Sequence, residues 1–128
     1  MVSVFFEARG GDDEFTNNTG LQTFARGGLG DDIFVGGSGV DRLVGGDGED
    51  LLTGNAGNDF LIGGQGDDTL IGNAGEDELF GEAGSDELIG GPDDDNLFGG
   101  SGTVSYTHLR AHETREDLVC RLLLEKKK

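Results

Sequence analysis

Glycines and apolar residues recur along the middle of this chain with a period of nine. From Gly27 the sequence divides without insertion into GGLGDDIFV (27–35), GGSGVDRLV (36–44), GGDGEDLLT (45–53), GNAGNDFLI (54–62), GGQGDDTLI (63–71), GNAGEDELF (72–80), GEAGSDELI (81–89) and GGPDDDNLF (90–98), and a ninth unit begins at Gly99–Gly102. Position one is always glycine, and position four is glycine in all complete units but the last, which has Asp93. Position six is always aspartate. Position eight is always Phe or Leu, and position nine is apolar except at Thr53. Positions seven to nine predict a short strand, and the Gly/Asp/Asn-rich positions one to six predict a turn. Strand and turn repeated at fixed period make a solenoid.

Two units then form one coil of 18 residues. Odd units stack their strands into one parallel sheet and even units into a second, with neighbouring strands about 4.8 Å apart. The fold class is all-β: a parallel β-roll, or two-sheet β-solenoid. Position eight faces inward, with Phe34, Leu52, Leu70 and Leu88 opposing Leu43, Leu61, Leu79 and Leu97. Position nine faces out, giving apolar stripes Val35, Thr53, Ile71, Ile89 and Val44, Ile62, Phe80, Phe98. Gly or Asn at position two suits a positive φ; Glu82 breaks that rule and marks a weak spot. Pro92 and Asp93 predict a distorted last unit.

Upstream the pattern decays. Ala8–Thr16 fits a degenerate unit with Asp13 at position six and Phe15 at position eight. Asn17–Ala25 fits another with Gln22 in place of aspartate, leaving Arg26 as an extra residue. Residues 1–26 are read as an imperfect N-terminal cap, with an unrelated flexible lead-in as the alternative, 27–102 as the roll, and 103–128 as a tail of different grammar. All 26 glycines lie at or before Gly102. Residues 1–103 carry 22 acids against Arg9, Arg26 and Arg42, whereas the tail is net basic and holds His108, His112 and Cys120. Val104–Thr114 resembles a translated transposase-type sequencing adaptor, and Leu118–Lys128 resembles its far end running into poly-A. The tail is therefore read as a non-native read-through product and left out of the fold, with the parent protein cut mid-repeat. The competing reading is an amphipathic helix on Leu118, Leu122 and Glu125.

Charge changes the picture of the roll itself. The whole chain has a formal net charge of -17, which opposes binding to nucleic acid. No run of about 18 apolar residues exists to span a membrane. A core one side chain thick does not offset the entropy of ordering so glycine-rich a chain. Stacking brings Asp32, Asp50, Asp68 and Asp86 together on one edge, and Asp41, Asp59, Asp77 and Asp95 on the other. Carboxylates at that spacing repel unless a cation lies between them. Flexible anionic loops with carbonyl oxygens select Ca²⁺ over Mg²⁺, which demands a tighter octahedron. Zinc would want His or Cys, absent from the repeats. The acids at positions five and seven (Asp31, Glu49, Asp67, Glu76, Glu78, Glu87, Asp94) are read as solvated surface.

The repeat resembles the RTX (repeats-in-toxin) family, with its G-G-x-G-x-D-x-U-x calcium-binding β-roll. The resemblance covers 27–102 firmly and 8–26 loosely. It implies ions between turns two units apart, held by the position-six aspartates and by main-chain carbonyls of Gly28, Gly30, Gly37, Gly39, Gly46, Gly48, Asn55, Gly57, Gly64, Gly66, Asn73, Gly75 and Gly84. Three gaps on each edge give about six Ca²⁺ ions, with the Asp93–Asp95 turn the least secure. It also implies a secreted bacterial protein, exported unfolded by type I secretion machinery and folding on calcium outside. The C-terminal export signal is not visible in this stretch.

Two rival functions stand beside a calcium-binding module of a larger secreted protein. The apolar stripes fit an adhesive or interaction module of an extracellular or surface-layer protein; the plainer reading of them is that they cover strand edges or pack on missing flanks. Alternatively the chain is the C-terminal part of a secreted protease or lipase whose catalytic domain lies elsewhere. No HExxH, GxSxG or Walker pattern occurs, so the chain itself is read as non-enzymatic. No EF-hand loop is present, and no base accompanies the glycine turns as phosphate binding requires.

Overall fold

The structure is a computed structural model that describes residues 2–108, with side chains through Tyr106. Its strands are β1 (Ser3–Glu7), β2 (Glu14–Thr16), β3 (Gln22–Leu29), β4 (Ile33–Val35), β5 (Asp41–Asp47), β6 (Leu51–Thr53), β7 (Phe60–Gln65), β8 (Thr69–Ile71), β9 (Glu78–Ala83), β10 (Asp86–Gly91), β11 (Asn96–Phe98) and β12 (Val104–His108). They alternate between two six-stranded sheets. The first runs β1-β3-β5-β7-β9-β11 and the second β2-β4-β6-β8-β10-β12, with parallel pairing throughout. This is the two-sheet roll that the period predicts. Among the described residues no helix is long and apolar enough to cross a membrane.

The register advances by one coil at each strand. Leu43 lies opposite Leu61, then Leu79, then Leu97. Phe34, Leu52, Leu70 and Leu88 do the same in the second sheet. All eight are fully buried, so position eight builds the core as its spacing requires. At the N-terminal end Ala25 takes a leucine position and fills less space. Larger rings compensate: Phe6 stacks on Phe15 at 4.9 Å and meets Phe34 edge-on at 5.7 Å.

Three features depart from the sequence reading. First, strands of three residues hold for β4, β6, β8 and β11, but β3, β5, β7 and β9 run on into the following glycines, pairing Gly46 with Gly64 and Asp47 with Gln65. The backbone at positions two and three re-enters the ladder after skipping position one. Second, Thr23, not Gln22, lies opposite Asp41, and Arg26 pairs with Val44 at position nine. Because Thr16 pairs with Val35, the extra residue falls in the turn between Asn17 and Thr23, not at Arg26. Residues 3–7 also supply a strand that the repeat pattern did not reveal. Third, Val104–His108 pairs with β10, so the start of the tail joins the roll. Its alternation puts Val104, which is buried, opposite Asp86 and Tyr106 opposite Leu88. The helix proposed near Leu118, and His112 and Cys120, lie outside the described residues.

The last full unit is not visibly displaced. Asp93 adopts φ 80° where glycine stands elsewhere, its Oδ2 accepts from Gly75 N–H at 3.0 Å, and Leu97 keeps its register on Leu79. Glu82 likewise sits at φ 73°, a conformation that side-chain-bearing residues other than Asn and Asp seldom adopt, which keeps it the weak spot that the sequence indicates.

Candidate metal centre

Each position-six aspartate closes a turn and opens a strand, and its side chain points back under the turn. Asp32, Asp41, Asp50, Asp59, Asp68, Asp77, Asp86 and Asp95 are all buried, with 4% exposure or less. Aspartate is almost never fully buried unless paired. One oxygen of each is accounted for by the stack. Asp50 Oδ1 accepts from Asp32 N–H (2.8 Å), Asp68 Oδ1 from Asp50 N–H (2.9 Å) and Asp86 Oδ1 from Asp68 N–H (3.0 Å). On the other edge Asp59 Oδ1 accepts from Asp41 N–H (2.8 Å), Asp77 Oδ1 from Asp59 N–H (2.7 Å) and Asp95 Oδ1 from Asp77 N–H (2.9 Å). Asp13 N–H extends the first ladder by donating to Asp32 Oδ1, and Thr23 N–H extends the second by donating to Asp41 Oδ1.

The second oxygen is different. Oδ2 of Asp32, Asp50, Asp59, Asp68 and Asp77 is buried with no hydrogen-bond partner. It rests against the Cα of the position-one glycine of its own unit. A Cβ on Gly45 would overlap Asp50 Oδ2, and one on Gly63 would overlap Asp68 Oδ2. The invariance of that glycine is therefore steric, since both residues have ordinary negative φ. Asp41 is the exception: its Oδ2 accepts from Gly37 N–H at 2.9 Å.

Burial without a donor resists ionisation. Desolvation raises the carboxyl of Asp50 to about 6, those of Asp59 and Asp68 to about 7 and that of Asp77 to about 8. The bond from the coil below pulls each down, while neighbouring carboxylates push up; for Asp77 these are Asp59, Asp95 and Asp93. Asp32 is raised for the same reason. A row of buried anionic oxygens without donors is a row of places that a cation would stabilise.

The remaining predicted ligand positions lie in the same turns, stacked coil on coil. Carbonyls at positions two and four point along the stack. A Cβ on Gly46 would overlap the carbonyl oxygen of Gly28, on Gly64 that of Gly46, on Gly48 that of Gly30, and on Gly66 that of Gly48. The same holds for Gly84 over Gly66, and on the other edge for Gly57 over Gly39 and Gly75 over Gly57. Asn55 and Asn73 replace glycine at φ 74° and 72°. Asn55 Nδ2 donates to Gly36 O at 2.6 Å and Asn73 Nδ2 to Asn55 Oδ1 at 3.3 Å. Gly37 and Gly39 are brought to the same edge but without the positive φ of their counterparts, such as Gly46 and Gly48. Among the described residues no three Asp, Glu, His or Cys side chains converge on one point. A hard cation between coils would thus draw most of its oxygens from the main chain, which suits Ca²⁺.

The acids at positions five and seven are exposed, as predicted, but position five has a task that the sequence reading missed. Asp12 Oδ1 accepts from Asp31 N–H, Asp31 Oδ1 from Glu49 N–H and Asp67 Oδ1 from Ser85 N–H, at 2.8–2.9 Å. Asn58 Oδ1 does the same for Glu76 N–H. Position-five side chains bond the coil above, and position-six side chains the coil below. The signal was the recurrence of Asp or Asn at position five.

The comparisons agree with this geometry. Four overlapping segments, 24–43, 35–70, 44–79 and 71–103, match the RTX calcium-binding nonapeptide repeat. Comparison with curated proteins and with solved structures returns no match. Together the matched segments span more than half of the chain, and the chain belongs to the RTX calcium-binding nonapeptide repeat family, as a β-roll module that binds calcium.

Proposed function

We propose that residues 27–102 fold around calcium held in the gaps between coils, with residues 1–26 capping the N-terminal end. In each gap the buried aspartate Oδ2 supplies the charge. Position-two and position-four carbonyls supply the neutral oxygens. Eight aspartates on two edges define six gaps, and about six ions fill them. The gap at Asp41 is the weakest, because Gly37 N–H already satisfies the free oxygen. Calcium neutralises the carboxylates and joins one coil to the next. The observation that carries this reading is the repeated buried Oδ2 without a donor.

Binding energy is then folding energy. With a net charge of -17 and a core of single leucines, the calcium-free chain stays expanded. This behaviour suits a segment of a larger bacterial protein that passes type I secretion machinery unfolded and orders outside, where modules of this kind bind at about 0.1–1 mM. The test is a far-UV circular dichroism titration of the full chain with Ca²⁺, with Mg²⁺ as control. A cooperative gain of β signal with Ca²⁺ alone supports the reading. No change up to about 10 mM, ten times the upper end of that range, overturns it.

A further inference from the structure

The outer face of the first sheet carries two columns of side chains. In the position-seven column Arg42, Phe60 and Glu78 follow one another on β5, β7 and β9, and in the position-nine column Val44, Ile62 and Phe80 do so. A ladder of π contacts runs along this face. Phe5 stacks on Phe24 at 5.4 Å, Arg42 lies 5.9 Å from the Phe24 centroid and 4.4 Å from that of Phe60, Phe60 meets Phe80 at 5.0 Å, and Phe80 stacks on Phe98 at 4.9 Å. Phe24, Phe60, Phe80 and Phe98 are partly buried, and Phe5 is 67% exposed. A partly exposed aromatic strip on so acidic a molecule is a candidate contact surface.

Its charges identify the occupant. Residues 1–103 contain three bases, and two of them, Arg26 and Arg42, stand on this face. The position-seven column has one base and one acid among the described residues, one coil to either side of Phe60. A second copy turned by 180° about an axis along β7 reverses the order of coils and keeps the columns aligned. Arg42 of each copy then meets Glu78 of the other, Phe60 meets Phe60, Val44 meets Phe80 and Arg26 meets Phe98. The other in-plane axis would set Arg42 over Val44 and leave both charges unpaired. The outer face of the second sheet has Ile33, Leu51, Thr69 and Glu87 in the matching column, with no base to pair.

We propose that the calcium-loaded roll pairs with a second copy of itself through the outer face of the first sheet, as a twofold dimer centred on Phe60 and Ile62 with reciprocal Arg42–Glu78 contacts. A twofold interface uses the same patch twice, so a base and an acid placed symmetrically about its centre are each satisfied. Opposite charges fix the register and reject the alternative one. Five overlapping coils at about 4.8 Å and three strand residues at about 3.3 Å make a patch of about 24 by 10 Å, or about 480 Å² over the two copies, which is small against the roughly 1,200 Å² of a stable interface. The association is therefore weak. It rests on the calcium-dependent roll proposed above, because the expanded chain has no such face.

Sedimentation velocity of the full chain tests this from about 10 µM to 1 mM, a span suited to a weak interface, in saturating Ca²⁺ and about 0.15 M salt. Circular dichroism on the same samples reports the fold. The expected result is a concentration-dependent monomer–dimer equilibrium that EGTA abolishes. Glu78→Arg and Arg42→Glu each weaken it at least tenfold, and the double exchange restores it. Glu78 takes part in none of the ring contacts, so Glu78→Arg tests the pairing without disturbing the ladder. Calcium-induced β signal with a monomer at every concentration overturns the dimer and leaves the calcium reading intact. A dimer indifferent to both exchanges places the contact elsewhere and also overturns it. Absence of calcium-induced β signal overturns both readings.

Discussion

Two turns of the roll meet the same buried polar groups with different means. In the turn from Asn17 to Thr23, side chains do the work. Asn17 Nδ2 donates to Leu21 O at 2.9 Å and to Thr23 Oγ1 at 2.6 Å, while Asn17 Oδ1 accepts from Thr19 N–H at 2.9 Å and from Thr19 Oγ1 at 2.6 Å. In the next coil Gly37 N–H completes Asp41. In the turn from Gly63 to Asp68 there is only glycine, a Gln and two aspartates, and Asp68 Oδ2 is buried without a donor. One turn contains its own donors; the other leaves a negative site for a cation. The difference teaches that metal dependence in this fold is a property of individual turns, decided by whether a neighbouring N–H reaches the second carboxylate oxygen.

The largest effect should come from removing that oxygen's charge where no donor reaches it. Asp68→Asn preserves the Oδ1 acceptor for Asp50 N–H but abolishes the anion, and it faces two gaps. Each site lost is worth about 1.4–2.7 kcal/mol at ten to a hundred times its Kd. Asp68→Asn should thus cost about 3 kcal/mol or more at about 10 mM Ca²⁺ and lower by at least one the number of ions taken up on folding, read as the slope of ln K against ln[Ca²⁺]. Asp41→Asn should lower that slope by less, because the gap at Asp41 is the weakest. Equal effects of the two substitutions in urea melts over a calcium series would break the comparison.

Acidity should produce the next effect. Asp50, Asp59, Asp68 and Asp77 have carboxyls raised from 3.8 to between about 6 and about 8 in the folded chain. The folded state therefore binds more protons than the unfolded state between about pH 4 and pH 8. Stability from this source is fully present below about 3.8 and lost as pH rises through 6 to 8. Stripped of calcium beforehand on a chelating resin and kept in calcium-free buffer without chelator, the chain should gain β signal when moved from pH 8.5 to 4.5, the reverse of ordinary acid denaturation. Calcium displaces the same protons, so its midpoint should move to lower concentration as pH rises over the same window. A calcium midpoint that does not change from pH 5.5 to 8 would contradict the burial of these carboxylates.

How much of this was legible depends on what repeats. The coil, both sheets, the leucine ladders and the aspartate rows follow from eight units in one register, because a period-nine pattern admits only one alternation of inward and outward positions. The N-terminal insertion is misplaced because Asn17–Ala25 keeps Gly20 but lacks the position-one glycine and the position-six aspartate that together fix phase. Thr23 occupies position six through its bond to Asp41, a contact eighteen residues away that no local pattern announces. Asp41 is the sharper case. Its own unit looks like its neighbours, and its difference is imposed by the longer turn one coil below, against which Gly37 packs: a Cβ there would overlap Thr19 O. Position-five aspartates are solvated, as the repeat predicts; their bonds to the coil above become visible only once coils are stacked.

A smaller effect separates the two turns by volume alone. Gly63→Ala drives a methyl into Asp68 Oδ2, and the carboxylate cannot withdraw because Oδ1 is held by Asp50 N–H. The cost should be about 3 kcal/mol, at the upper end for overpacking. Gly20, in the side-chain-bonded turn, has negative φ, and a Cβ on it would meet only Ser38 Oγ at 3.3 Å. Gly20→Ala should stay within about 0.5 kcal/mol. Urea midpoints at fixed calcium compare the pair directly.

The loss expected at Asn17 is the most informative about the metal-free turn. Asn17 is 4% exposed and Thr23 3%, so Asn17→Ala strands Thr23 Oγ1 in a buried position and removes the part-buried bond to Leu21 O. Loss of buried hydrogen bonds of this kind costs about 1–2 kcal/mol, and urea melts in saturating Ca²⁺ should show a loss of that size. The slope of stability against ln[Ca²⁺] should not change, because no ion is held there. That invariance distinguishes the two ways of satisfying a turn: the same slope with lower stability marks a side-chain network, whereas a lower slope marks a lost cation. If Asn17→Ala reduced the slope as Asp68→Asn is expected to, the turn at Asn17 would itself be a calcium site, and the donors supplied by Asn17 and Gly37 would be supports for an ion rather than substitutes for one.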